Sequence, residues 1–145
     1  MVKIKQISVG NPNRVLQSDA AGVVAEIPKH RIITGSGQTV GAATAVLASV
    51  PLVNGYSYAV KGWVVGREST SGDSLAGRRS SMAKRVGGTS SVLGAGEGAL
   101  ASDASVSLAD ADFVLGTNTA DLQATGAVGT TINWWCEVEY IEFAP

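Results

Sequence analysis

The stretch Thr130-Thr131-Ile132-Asn133-Trp134-Trp135-Cys136-Glu137-Val138-Glu139-Tyr140-Ile141-Glu142-Phe143 alternates side-chain character at period two almost to the end of the chain. An extended strand sends successive side chains to opposite faces. Ile132, Trp134, Cys136, Val138 and Tyr140 then share one face, and Asn133, Trp135, Glu137 and Glu139 share the other. An apolar face backed by a polar one suits a strand in one layer of a sandwich rather than a helix. The fold class expected from this stretch is all-β.

A chain of 145 residues suffices for one ordinary domain and a short appendage. Hydrophobic residues make up 45% of it, yet much of that share is Ala and Val, glycine occurs 18 times and aromatics are only 6%. The core of a lone protomer would be thin. With 16% charged residues and a mean hydropathy of +0.18, the composition suits a protein that hides part of its surface in an oligomer. The net charge of -1 and pI near 5.7 give no pull toward nucleic acid or an anionic membrane. The single cysteine, Cys136, falls on the apolar face of the terminal strand and reads as a small buried hydrophobe, which excludes an intrachain disulfide. No apolar run reaches the roughly 20 residues of a membrane-spanning helix, and Met1-Val2-Lys3-Ile4-Lys5-Gln6 lacks the apolar core of a signal peptide. No membrane insertion is expected, and the chain is expected to be made and held in a cytoplasm.

Residues 1–30 differ from the rest. Val2-Lys3-Ile4-Lys5 alternates, Gly10-Asn11-Pro12-Asn13 turns, Val15-Leu16 is apolar, and Asp19-Ala20-Ala21-Gly22 turns again before Val23-Val24-Ala25. These read as short strands joined by turns. About thirty residues cannot bury enough surface to offset chain entropy, so this arm must pack on a partner. Pro28 marks its end, and Lys29, His30 and Arg31 read as a solvated hinge. Residues 31–145 then hold strand candidates at sandwich spacing: Ile32-Ile33, Ala45–Val50, Tyr56–Arg67, Arg78–Val86, Ser90–Leu93, Ser105–Leu108 extending toward Leu115, Ala120–Thr125 and Ile132–Phe143. Asn54-Gly55 and Gly87-Gly88 are hairpin turns. Only the short Ala run of Gly41–Ala48 is ambiguous between strand and helix.

Tyr56, Tyr58, Val60, Gly62 and Val64 take the core face of their strand, and Lys61, Trp63, Val65 and Arg67 the other. An exposed Trp63 beside two cations can stack on a pyranose, or it can pack between subunits, and the same choice applies to Trp135. Arg78 and Lys84 point to one face of their strand while Arg79 and Arg85 point to the other. The basic run is therefore divided, which argues against a phosphate patch and for pairing with acids such as Glu137 and Glu139 or with a neighbouring subunit. Those two glutamates, about 7 Å apart on one strand face, resemble a glycosidase pair only in spacing, because catalytic pairs flank a cleft. His30, the one histidine, falls in the expected hinge, which disfavours nucleophilic catalysis. No residue set has zinc spacing, and Asp110 with Asp112 is at most a hint of a calcium loop. Gly35-Ser36-Gly37 and Gly94-Ala95-Gly96-Glu97-Gly98 lack the residues of a phosphate loop and read as loops at the tip. No catalytic residue, cofactor or metal is expected.

The segment Gly116-Thr117-Asn118-Thr119-Ala120-Asp121-Leu122-Gln123-Ala124-Thr125-Gly126, followed by Gly129-Thr130-Thr131-Ile132-Asn133-Trp134, resembles the C-terminal end of small bacteriophage fibre and spike domains. Asn13-Arg14-Val15-Leu16, with Ser18-Asp19-Ala20 and Gly22, is similar to the shaft-to-tip junctions of phage fibres. The resemblance implies an antiparallel, jelly-roll-like β-sandwich over residues 31–145 with an extended N-terminal arm over residues 1–30, assembled as a homotrimer on a virion. It implies a non-enzymatic role as a short tail or head fibre or spike. The arm would anchor to other virion proteins through Ile4, Val15, Leu16 and Val23. Trp63, Arg67, Ser69, Asp73, Gly94 and Glu97 would be candidate contacts for a cell-envelope glycan. A capsid decoration protein is the nearest alternative, and a free carbohydrate-binding module or glycan hydrolase a more distant one.

Overall fold

The structure, a computed structural model, describes residues 15–18, 24–27, 30–94 and 100–144. Its strands are β1 (Val15–Ser18), β2 (Val24–Ile27), β3 (His30–Val40), β4 (Thr44–Pro51), β5 (Tyr56–Glu68), β6 (Ser74–Val86), β7 (Thr89–Gly94), β8 (Ala101–Ser102), β9 (Asp110–Leu115), β10 (Thr119–Thr125) and β11 (Thr131–Phe143). A six-stranded sheet runs β3-β11-β5-β6-β7, with β8 also beside β6, and a three-stranded sheet runs β4-β10-β9. Every pairing is antiparallel.

The two sheets form a sandwich because their strands alternate as the sequence requires. The β5 side chains Tyr58, Val60 and Val64, and the β11 side chains Ile132, Trp134, Cys136, Val138 and Tyr140, are buried against Leu47 and Val50 of β4, Phe113 of β9 and Leu122 of β10. Burying one such large apolar side chain contributes about 1.5–3 kcal/mol. The ribbon β3-β4 splits between the layers and β11-β10 returns beside it, which gives the sandwich its jelly-roll-like roll. Between these ribbons β5, β6 and β7 form a meander, whose β5–β6 turn carries Gly72 and whose β6–β7 turn is Gly87-Gly88, all at positive φ. Asn54-Gly55 does not close a hairpin, because it leads from β4 in the small sheet to β5 in the large one.

Gly35-Ser36-Gly37 is not a loop but the middle of β3. A Cβ on Gly35 would lie 1.8 Å from the Leu47 carbonyl oxygen, so the glycine is there to let β4 cross β3 closely. His30 and Arg31, read as a solvated hinge, already belong to β3 and pair in register with Ile141 and Tyr140. Ser105–Leu108 is not a strand, because Ala104–Val106 forms a 3-10 turn, and the strand lies at Asp110–Leu115. Gly41 and Ala42 make a turn and Ala45–Ala48 is strand.

Within residues 1–30, β1 and β2 pair antiparallel, Val15 with Ile27 and Ser18 with Val24. Val15 and Leu16 lie in β1, while Ile4 and Val23 are outside the described residues, as is Glu97. Among the described residues no helix is long and apolar enough to cross a membrane.

Candidate interaction surface

The strand register orders the outer face of the large sheet into rows that run across the strands. Ser36, Trp135, Val65 and Ala76 form one row. Thr34, Glu137, Trp63 and Arg78 form the next, followed by Ile32, Glu139, Lys61 and Ser80. Ile141, Ala59, Met82 and Leu93 form the fourth, with His30 at its β3 end. The inward positions of these strands supply the core, so whatever alternates with them faces outward, and here that includes much apolar surface. Trp63 is 49% exposed, Trp135 46%, Met82 57% and Ile32 56%. So broad an apolar face is characteristic of an interaction surface.

Trp63 and Trp135 sit on adjacent strands one row apart, about 7–8 Å by sheet geometry. Arg78 places its guanidinium carbon 5.5 Å from the Trp63 ring centroid, a cation–π contact across β5 and β6. Glu137 flanks Trp63 on the β11 side, so an acid, an indole and a cation stand side by side. Lys61 and Glu139 are half-buried and face one another in register, and His30 Nε2 lies 2.5 Å from Glu139 Oε1. At the fourth row a groove of about 440 Å³ opens between Ala59, Met82, Leu93 and Ile141, with Lys61 and Glu139 on its rim.

The basic strand divides as its alternation predicts, but the acid partner differs from Glu137 and Glu139. Arg79 points inward, 5% exposed, donates from Nε to the Ala111 carbonyl at 2.6 Å and pairs through Nη2 with Asp110. Arg85, on the same inward face, donates to the Leu52 carbonyl at 3.4 Å. The cations that stay outside, Arg78 and Lys84, belong to the exposed face.

The turn between β5 and β6 holds Ser69 and Asp73. Glu68 closes it, its Oε2 accepting the Ser71 N–H and, at 2.7 Å, the Thr70 N–H. The Ser71 N–H foremost draws the Glu68 carboxyl down to about 2. Ser105 Oγ donates to Asp73 Oδ2 at 2.5 Å, and the Ser74 N–H donates to Asp103 Oδ2 at 2.8 Å, docking the turn on the 3-10 segment. Arg67 and Trp63 share the outer face of β5, and Arg67 packs near Gly72 of this turn. Gly94 pairs with Ser81, seven positions along β6 from Ser74, about 23 Å from the turn. The candidate contacts therefore fall into two groups, with Trp63, Arg67, Ser69 and Asp73 in one and Gly94 in the other.

Sequence reasoning missed three kinds of residue. Glu68 carried no motif, although an acid at a strand end before Ser-Thr-Ser-Gly is a usable turn signal. Asp110 reads in the sequence only as a hint of a calcium loop, because its partner Arg79 lies 31 positions away. Ile32, Met82 and Leu93 were placed on strands, but their union with the two tryptophans depends on lateral register. Burial raises the Cys136 thiol above its ordinary range, in keeping with a core residue. Among the described residues no group of three or more His, Cys, Asp or Glu side chains is placed to hold a metal ion.

No protein-family model matches the chain, and no curated protein matches it. Among solved structures, a tailspike protein of the Acinetobacter baumannii phage AM24 superposes with a TM-score of 0.52 at 7% identity. The match covers 80% of this chain and 26% of the tailspike, so the chain spans about a quarter of that protein's length. The likeness is one of fold, an all-β architecture found in a phage tail protein.

Proposed function

We propose that this protein is a non-enzymatic surface component of a phage-like virion, a short homotrimeric fibre or spike whose sandwich contacts the host envelope. The observation that carries the reading is the fold likeness to a tailspike over 80% of the chain. A sandwich of this kind supplies rigid strands that hold turns at its ends, and recognition concentrates on such turns. Ser69, Thr70, Ser71 and Asp73, held by Glu68 and backed by Arg67, offer the hydroxyls, carboxylate and guanidinium that hydrogen-bond sugars. The exposed face of the large sheet is assigned to assembly, and residues 1–30 to attachment on other virion proteins.

The test is immunogold electron microscopy of particles released by the producing cells, with antibody raised against the sandwich. Label on the particle surface is expected, and it should disappear when residues 1–29 are deleted. Protein found only in the particle-free fraction would refute the assignment.

A further inference from the structure

We propose that copies of this chain pack through the outer face of the six-stranded sheet around an axis parallel to the strands, so that each row meets the same row of the next copy. The inference rests on the self-association in the preceding reading and deepens it by naming the face, the register and the contacts.

Strand β5 is the middle of the five-strand path β3-β11-β5-β6-β7, with β11 on one side and β6 on the other. The side chains on these two flanks are complementary row by row. Glu137 stands on the β11 flank of Trp63 and Arg78 on the β6 flank. A parallel axis over β5 brings Glu137 of one copy to Arg78 of the next and gathers the Trp63 indoles at the centre. One row along, the large Trp135 meets the small Ala76 of the next copy, with Val65 at the centre. Three rows from Trp135, Ile141 meets Met82 around Ala59, which fills the apolar groove described above. Opposite charges face one another, large side chains face small ones, and apolar side chains face apolar ones.

An axis perpendicular to the strands through the Trp63 row reverses this order. It sets Glu137 against Glu137 and Arg78 against Arg78, a repulsive arrangement. The row of Glu139 and Lys61 is the polar one in the parallel arrangement. There the Lys61 side chains gather at the axis, each beside its in-register Glu139, whose Oε1 lies 2.5 Å from His30 Nε2, and a charged layer of this kind fixes register in an otherwise apolar contact.

Counted over both neighbours of a copy, the face approaches the size of one standard interface. Strands β3, β11, β5 and β6 contain 11, 13, 13 and 13 residues. At about 4.8 Å between strands and about 3.3 Å per residue they present on the order of 750 Å². A stable interface takes about 800 Å² from each partner. The arrangement also withdraws Trp63 from receptor contact and leaves the turn Ser69–Asp73 at the sheet end free to make it.

Cysteine cross-linking of the full chain tests the register. Glu137 and Arg78 both oppose Trp63 and are two strand spacings apart, about 10 Å, too far for a disulfide within one chain. Under mild oxidation the double variant Glu137→Cys/Arg78→Cys should run at three times the chain mass on a non-reducing gel, while either single variant stays at one. Native Cys136 is fully buried and faces the core. Cross-linking of Glu137→Cys alone would overturn the proposal, because it requires the reversed axis. A double variant that stays uncross-linked while light scattering of the same sample still reads three chains would also overturn it, leaving self-association through another surface. A sample that reads one chain would remove self-association itself.

Discussion

The Trp134 indole N–H donates to Thr39 Oγ1 at 2.9 Å inside the sandwich, joining two residues 95 positions apart in the chain. Thr39 is 1% exposed and Trp134 3%, so neither group has solvent as an alternative partner. Thr39→Val keeps the shape and removes the acceptor. The expected cost is about 1–3 kcal/mol, the penalty of an unpaired buried donor, read as a lower denaturant midpoint with an unchanged slope.

Two glycines of the large sheet face the other layer, and they should differ in what they tolerate. A Cβ on Gly62 would meet the flexible Leu122 Cδ2 at 2.8 Å, whereas one on Gly35 would meet the Leu47 backbone oxygen at 1.8 Å. Gly62→Ala is expected to cost about 1–3 kcal/mol, the usual range for overpacking. Gly35→Ala should cost more, because a strand rather than a methyl group has to move. Urea titration of the two variants ranks them, and equal losses would contradict the close crossing of β3 and β4.

Arg79 and Asp110 form a lopsided pair, with side-chain exposures of 6% and 60%. Removing the guanidinium strands the Ala111 carbonyl, so Arg79→Met is expected to lose about 1–3 kcal/mol. Asp110→Asn removes a solvent-screened charge and should lose less than about 1 kcal/mol. Thermal melts of the two variants should keep that order.

The turn that carries Ser69 and Asp73 should be acid-sensitive through Glu68. Its carboxyl lies at about 2 in the folded chain against an ordinary 4.5, because the N–H groups of Ser71 and Thr70 favour the charged form. A depressed folded value adds stability that is complete above about pH 4.5 and is lost as pH falls through about 2. Melting temperatures across that window should fall more steeply for the wild type than for Glu68→Gln.

Much of this architecture was legible in the chain. The alternations of β5 and β11 assigned Val60 and Val64, and Trp134 and Val138, to the core and Trp63 and Trp135 to the outside, because period two is a local property. The Gly87-Gly88 hairpin was legible for the same reason. What escaped depends on contacts distant in sequence. Gly35 and Gly37 look like a loop until Leu47 is seen lying across them. The inward turn of Arg79 followed from alternation, but its partner Asp110 is 31 residues away and only the packing of β9 near β6 selects it. The outer patch escaped because neighbours such as Trp63 and Arg78, or Met82 and Leu93, are set by register between strands.

Self-association through the exposed sheet face underlies both the proposed role and the proposed packing, and the solution mass of the purified chain reports on it. Light scattering on a sizing column is predicted to give three times the 14.7 kDa of one chain. A mass of 14.7 kDa at micromolar concentration would contradict it, leaving Trp63, Trp135, Met82 and Ile32 open to solvent on a monomer.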